Sequence, residues 1–180
     1  MTKDLTKYTV SIYTENNIGL LNRISAIFLK RHINIESITS SQSEIDNISR
    51  FVVIVTIYKS KIKNVIKQIE KQVEVIAAFY HTDKETIYLE TALYKVKSKS
   101  LFDEKHIQKI IKKSQANIVT VSPDYFVIEK TGWRNETEEL YKSLEPYGLL
   151  QFVRSGRISV SKEPMNIRKI LYKNKDLNHE

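Results

Sequence analysis

Tyr8-Thr9-Val10-Ser11-Ile12-Tyr13 alternates apolar and hydroxyl-bearing side chains. Glu15-Asn16-Asn17-Ile18-Gly19 then breaks the alternation, and Leu20-Leu21-Asn22-Arg23-Ile24 opens a new spacing. A period of two marks Lys7 to Tyr13 as a half-buried strand. Leu20, Leu21, Ile24, Ile27 and Phe28 fall at helical spacing, and Lys30-Arg31 supply cations suited to a helix C-terminus. Working outward, Ile33 to Ser40 reads as a second strand with Ile33, Ile35 and Ile38 inward, and Gln42 to Asn47 as a polar turn. Phe51 to Tyr58 is a long β-branched run and the strongest strand in the chain. Ser60 is placed to cap a helix running to about Lys71, and Glu74 to His81 closes the unit as a strand. The order between Lys7 and His81 is β-α-β-β-α-β.

The second half repeats it. Thr86 to Val96 reads as a strand with Ile87, Leu89, Thr91, Leu93 and Lys95 on one face. Ser100-Leu101-Phe102-Asp103 resembles a capping box that opens a helix carrying Ile107, Ile110 and Ile111. Ile118 to Val121 and Phe126 to Glu129 form a hairpin turning at Ser122-Pro123-Asp124. Asn135 to Leu144 is a helix with Leu140, Tyr141 and Leu144 inward, which Asn135 and Glu138 can cap. Pro146-Tyr147-Gly148 breaks the chain, Leu149 to Val153 returns as a strand, and Ile158 to Val160 is expected to pair with it. The fold class is therefore α+β, two ferredoxin-like βαββαβ sandwiches in tandem. The charged join His81-Thr82-Asp83-Lys84-Glu85 divides them into residues 1–82 and 83–161. Residues 162–180 carry little pattern beyond Ile167, Ile170 and Leu171 and read as a short helix or a mobile tail. Exposed sheet edges in such small sandwiches favour a homodimer.

Composition narrows the function classes. Of 180 residues, 41% are hydrophobic and 28% charged, a globular balance, and no apolar run approaches the roughly 20 residues that span a bilayer. The stretch from Met1 to Lys7 has no apolar core of a secretory leader, so a soluble cytoplasmic chain with no membrane contact is expected. With no cysteine there is no thiolate metal site and no thiol nucleophile. Twenty-nine Lys and Arg against 21 Asp and Glu give a net charge of +8, which invites a nucleic-acid reading. The lysines are dispersed, however. Lys61, Lys63, Lys67 and Lys71 alternate with Ile62, Val65, Ile66 and Ile69 as the solvated face of an amphipathic helix, which argues against nucleic acid.

Catalytic chemistry finds no support either. His32, His81, His106 and His179 stand apart from other ligand types, so no metal site is expected. There is no phosphate loop, no G-x-S-x-G and no G-x-G-x-x-G. Carboxylates lie mostly beside lysines on helix faces, and no acid–base pair or activated nucleophile assembles. The one segment with a binding rationale is Asn16-Asn17-Ile18-Gly19-Leu20-Leu21. It leaves a strand and opens a helix, where free backbone N–H groups favour an anion and Gly19 has no side chain to block them. Asn16 and Asn34 add amides able to bond a carboxylate and an ammonium. The plain structural alternative is that Asn17 caps the helix and Gly19 merely allows the turn.

Glu15-Asn16-Asn17-Ile18-Gly19-Leu20-Leu21-Asn22-Arg23-Ile24, followed by Arg31-His32-Ile33-Asn34-Ile35-Glu36-Ser37-Ile38, resembles the ACT domain of acetolactate synthase small subunits. Ser49-Arg50 entering the next strand fits the same pattern. Val119-Thr120-Val121-Ser122-Pro123, Ile128-Glu129-Lys130-Thr131-Gly132, Leu144 to Leu150 and Arg154-Ser155-Gly156-Arg157 resemble that family's C-terminal domain. The resemblance implies a non-catalytic regulatory subunit that activates a thiamine-diphosphate-dependent catalytic large subunit. It also implies feedback inhibition by valine or another branched-chain amino acid in branched-chain amino acid biosynthesis. Thiamine diphosphate, magnesium and FAD would belong to that partner, with no cofactor in this chain. The effector, bound between two ACT domains, would meet Asn16, Gly19, Leu20, Leu21, Asn34, Ile35 and Ile38. Two departures stand out. His32 occupies a position where the family usually has a left-handed glycine, and Thr39-Ser40-Ser41-Gln42-Ser43 replaces a Thr-Val-x-Pro-Thr pattern. The alternative from another class is a stand-alone amino-acid-sensing ACT protein that controls gene expression. It would need a helix-turn-helix, and the helices here sit singly between strands.

Overall fold

A computed structural model describes residues 4–99 and 105–177. The expected capping box at residues 100–103 lies outside the described residues. The described chain divides into two compact units, residues 4–87 together with 157–177, and residues 88–156.

In the first unit, β1 (Leu5–Glu15), α1 (Leu20–Leu29), β2 (Ile35–Gln42), β3 (Ile48–Tyr58), α2 (Lys59–Ile69) and β4 (Val75–Thr82) follow the expected order. The antiparallel sheet runs β2-β3-β1-β4. Tyr8, Val10 and Ile12 of β1, and Phe51, Val53 and Val55 of β3, meet α1 and α2 through Ile24, Phe28, Ile62 and Val65 in one core. Ser60 is not the cap of α2. The helix starts two residues earlier than that cap would place it, at Lys59, its N-cap is Tyr58, and no side chain caps it.

β1 is buried on both faces rather than one. The reason is the segment after residue 156, which returns to the first unit. It comprises β9 (Ile158–Ser161) and α5 (Ile167–Leu177). Leu171 and Ile167 cover Tyr13, Ile48, Ile76 and Ala77 on the sheet face away from α1 and α2. The Asn174 side-chain amide donates to the Ile76 carbonyl at 3.2 Å. Arg157 is buried and its guanidinium reaches Thr9 Oγ1 at 3.0 Å and Asp83 Oδ1 at 2.5 Å. Residues 157–161 therefore belong with the first unit, and the expected pairing of Ile158–Val160 with the preceding strand gives way to these contacts. The tail is a helix seated on β4.

The second unit contains β5 (Thr86–Lys97), which begins two residues before the boundary, then α3 (Lys105–Lys113), β6 (Asn117–Val121) and β7 (Tyr125–Gly132). It closes with α4 (Arg134–Leu144), a short 3₁₀ turn (Glu145–Tyr147) and β8 (Leu149–Arg154). The strand order β6-β7-β5-β8 repeats that of the first sheet. Its core takes Ala92, Tyr94 and Val96 from β5, with Phe126, Ile128, Leu140 and Leu144. The other phase of β5, which holds Leu89 and Leu93, faces outward. The Tyr94 hydroxyl donates to the Thr137 carbonyl at 2.7 Å, and burial pushes the phenol up to about 12. Asn135 and Glu138 do not cap α4. Glu136 does, accepting the Trp133 N–H at 2.7 Å, while Glu138 pairs with Arg154 at 2.8 Å.

The first helix of each unit ends in the same way. His32 (φ 52°) and Gln115 (φ 52°) are left-handed. His32 N–H donates to Leu29 O and Ile33 N–H to Phe28 O, while Gln115 N–H donates to Lys112 O and Ala116 N–H to Ile111 O. Both are Schellman closures, in which glycine is the unstrained choice. Left-handed conformation costs a non-glycine residue about 1–2 kcal/mol, and glycine's freedom in the unfolded chain returns roughly 0.4–1 kcal/mol of that. His32→Gly and Gln115→Gly are each expected to stabilise the protein by about 0.5–1 kcal/mol in urea unfolding, while His32→Val destabilises it.

Candidate functional site

Gly19 is the N-cap of α1 and stands at φ 81°, ψ 0°. The turn before it is fixed by the Asn16 N–H donating to Asn47 O at 3.0 Å and the Asn17 N–H donating to Glu15 O at 3.0 Å. No side chain caps α1 and its first turn holds no acid, so Asn17 is not the cap. A Cβ at Gly19 would meet nothing within 4 Å, which means open space in front of the helix end. Ile18 beside it is 99% exposed. Helix N-termini carry N–H groups without intrahelical partners and a partial positive charge, so the turn has the electrostatic character of a carboxylate acceptor. Asn16 is exposed, and its Oδ1 accepts from Ser49 Oγ at 3.4 Å, which holds the amide over the start of β3.

The remaining expected site residues divide. Leu20 is 2% exposed and belongs to the core, whereas Leu21 is 46% exposed. Asn34 and Ile35 line a shallow depression of about 520 Å³ together with Asn22, Ser25, Ala26 and Leu29 of α1. Ile38 packs partly buried against the core of the first unit. Asn16, Gly19, Leu20, Leu21 and Ile38 are not among the residues lining that depression. Within one chain, the set is thus a turn at the head of α1 and an open groove along α1 and the start of β2. Asn22 and Ser25 were absent from the expected set. Their signal was available, since they lie three residues apart on the polar face of α1. Among the described residues, no group of three or more His, Cys, Asp or Glu is placed to hold a metal ion, and no helix is long and apolar enough to cross a membrane.

The strand–turn–helix with a left-handed glycine and the β2-β3-β1-β4 sheet define the first unit as an ACT domain, and a model described as an AHAS small subunit-like ACT domain matches residues 10–77. A second model, described as the small subunit of acetolactate synthase, matches residues 89–163. The acetolactate synthase small subunit of Bacillus subtilis is 35% identical over 151 residues, covering 83% of this chain and 87% of the relative. That of Mycobacterium bovis is 31% identical over 160 residues, covering 89% and 95%. The crystal structure of the small subunit from Thermotoga maritima superposes with a TM-score of 0.78 at 27% identity, over 88% of this chain and 99% of that one. The chain belongs to the family of acetolactate synthase small subunits.

The two leucines that open α1 have opposite environments, and this separates packing from any role at the turn. Leu20→Ala is expected to cost about 2–4 kcal/mol through lost burial and an unfilled cavity. Leu21→Ala should stay within about 0.5 kcal/mol of wild type in the same urea titration.

Proposed function

We propose that the chain is the regulatory, non-catalytic subunit of an acetolactate synthase. In this reading it binds a thiamine-diphosphate-dependent catalytic large subunit, raises its turnover, and confers inhibition by valine or another branched-chain amino acid. Thiamine diphosphate, magnesium and FAD are then the partner's, and this chain supplies only the effector site. The observation that carries the reading is the uncapped, unobstructed N-terminus of α1 behind Gly19. An amino acid's carboxylate would accept from the first-turn N–H groups, with Asn16 beside it. Its aliphatic side chain would lie against Leu21 and, in a dimer, against the Asn34–Ile35 groove. β2 is an edge strand, so its free backbone side offers a second copy of the domain a place to pair. On the second unit, Leu93 and Val153 are register partners and stand 43% and 51% exposed on the sheet. Adjacent exposed aliphatics of this kind suit a protein partner.

The purified chain is expected to make no acetolactate from pyruvate, and to raise turnover when mixed with its catalytic subunit. Synthase activity in the isolated chain would refute the regulatory reading, as would a complete lack of effect on that subunit. A sharper outcome concerns Gly19. Gly19→Asp places a carboxylate where the effector's would sit, and Asp is among the residues that tolerate a left-handed backbone. Two charges ~4 Å apart repel by about 4 kcal/mol at an effective dielectric of ~20, and a third of that is roughly tenfold in affinity. Inhibition by valine, leucine or isoleucine should weaken at least tenfold, with activation largely intact. Gly19→Ala, with the strain but no charge, should stay inhibitable, and Asn34→Ala should weaken inhibition less than Gly19→Asp.

A further inference from the structure

The face of the first sheet turned away from α1 and α2 encloses a cavity of about 140 Å³ beneath the returning C-terminal segment. Its wall contains Arg50 of β3, Ser11 and Tyr13 of β1, and Phe79 and His81 of β4. Ser159, Val160, Ser161, Met165 and Ile167 close it from the C-terminal side. All of these residues belong to the first unit. None of them belongs to the Gly19 turn or the Asn34 groove.

Arg50 is the unusual member. One terminal nitrogen donates to Ser11 Oγ at 3.2 Å and to the Ser159 carbonyl at 2.6 Å, and the guanidinium lies 5.7 Å from the centre of the Tyr13 ring. Its Nε is buried without a hydrogen-bond partner. Among the described residues, every ion pair engages some other cation, so no carboxylate lies within ion-pair distance of Arg50. A partly buried cation in this state is costly unless an anion completes it. Clamping the C-terminal segment accounts for the bond to Ser159. It accounts for neither the bare Nε nor the missing negative charge.

We propose that this cavity is a binding site for a small aliphatic carboxylate that carries no amino group. The carboxylate meets Arg50, and the hydroxyls of Ser11 and Ser161 stand within the same lining as further donors. Burial pushes the Tyr13 phenol up, so it stays a neutral donor at physiological pH. Phe79, Val160, Met165 and Ile167 offer the apolar wall. The volume is close to that of the ~150 Å³ apolar cavity that admits benzene, so the guest has about six to eight non-hydrogen atoms. An ammonium group is disfavoured because Glu163, the one carboxylate in the lining, is exposed and gives no buried counter-charge.

The test is titration of the full-length chain with isobutyrate, with 2-oxo-3-methylbutanoate, and with the neutral isostere isobutyramide, read by the Met165 methyl resonance and the Thr86 and Ser161 amides. At least one carboxylate should give saturable shifts there and bind tenfold or more tighter than isobutyramide; whichever binds tighter shows whether a 2-oxo group is part of the ligand. Arg50→Gln should weaken it at least tenfold, and Gly19→Asp should leave it unchanged. Equal response to isobutyramide, shifts confined to the Gly19 turn, or no saturable shift with either carboxylate overturns the proposal. The isobutyramide comparison needs no variant, so it stands even if Arg50→Gln fails to fold.

Discussion

β1 and β3 pair antiparallel from Leu5 with Tyr58 to Glu15 with Ile48 without a break in register. That single ladder sets everything functional in the first unit. It sends Tyr8, Val10 and Ile12 to the helix side, leaving Thr9, Ser11 and Tyr13 on the opposite face. It brings Arg50 opposite Tyr13, and it ends where the Asn16 N–H reaches Asn47 O to launch the Gly19 turn. A slip of one residue would exchange the two faces of the strand, setting Thr9 and Ser11 against α1 and Val10 and Ile12 beneath the C-terminal segment. Long uninterrupted pairing between two central strands makes such a slip costly, so the turn and the Arg50 cavity are held at fixed positions by the same interaction.

The C-terminal segment supplies the second constraint. Ferredoxin-like sheets leave one face bare, and here residues 157–177 cover that face on the first unit. The anchor combines apolar and ionic parts: Leu171 is fully buried in a small cluster, and Arg157 joins Thr9 and Asp83. Thr39 Oγ1 donates to the Arg157 carbonyl at 3.3 Å, tying the segment to β2 as well. Small hydroxyl-bearing residues on the outer face of β1 make this possible, because Thr9 and Ser11 are narrow enough to be covered and polar enough to receive arginines. The segment thereby turns a bare sheet face into a partly enclosed one with a cavity in it.

Much of the fold is legible locally. Alternation identifies β1, polar turns punctuate the elements, and the glycine before Leu20 takes the left-handed conformation that a turn into a helix uses. The left-handed position expected at His32 is matched by its φ of 52°. What stays hidden is set at long range. Both phases of β5 are apolar enough to be a core face, and the selection of Ala92, Tyr94 and Val96 depends on how Phe126 and Leu140 fill the space beneath. Ser60 has the chemistry of a cap, yet β3 runs on to Tyr58 and α2 starts directly after it. Ile158 to Val160 looks like the return arm of a hairpin, because nothing nearby in sequence reveals that Arg157 finds Asp83 and Thr9. For the candidate site, the turn at Gly19 is readable from residue types alone. The inward turn of Leu20 and the participation of Asn22 and Ser25 follow from how α1 sits on its sheet.

The central claim is that the head of α1, behind Gly19, accepts the carboxylate of an amino-acid effector. Titrating the full-length chain with valine, leucine and isoleucine while following backbone amide resonances tests it without any catalytic partner. The account predicts that at least one of them gives saturable shifts, largest at the Leu20, Leu21 and Asn22 amides and at the Asn34 side chain. Saturable binding that leaves those amides unmoved, or no binding of any of the three, would contradict it.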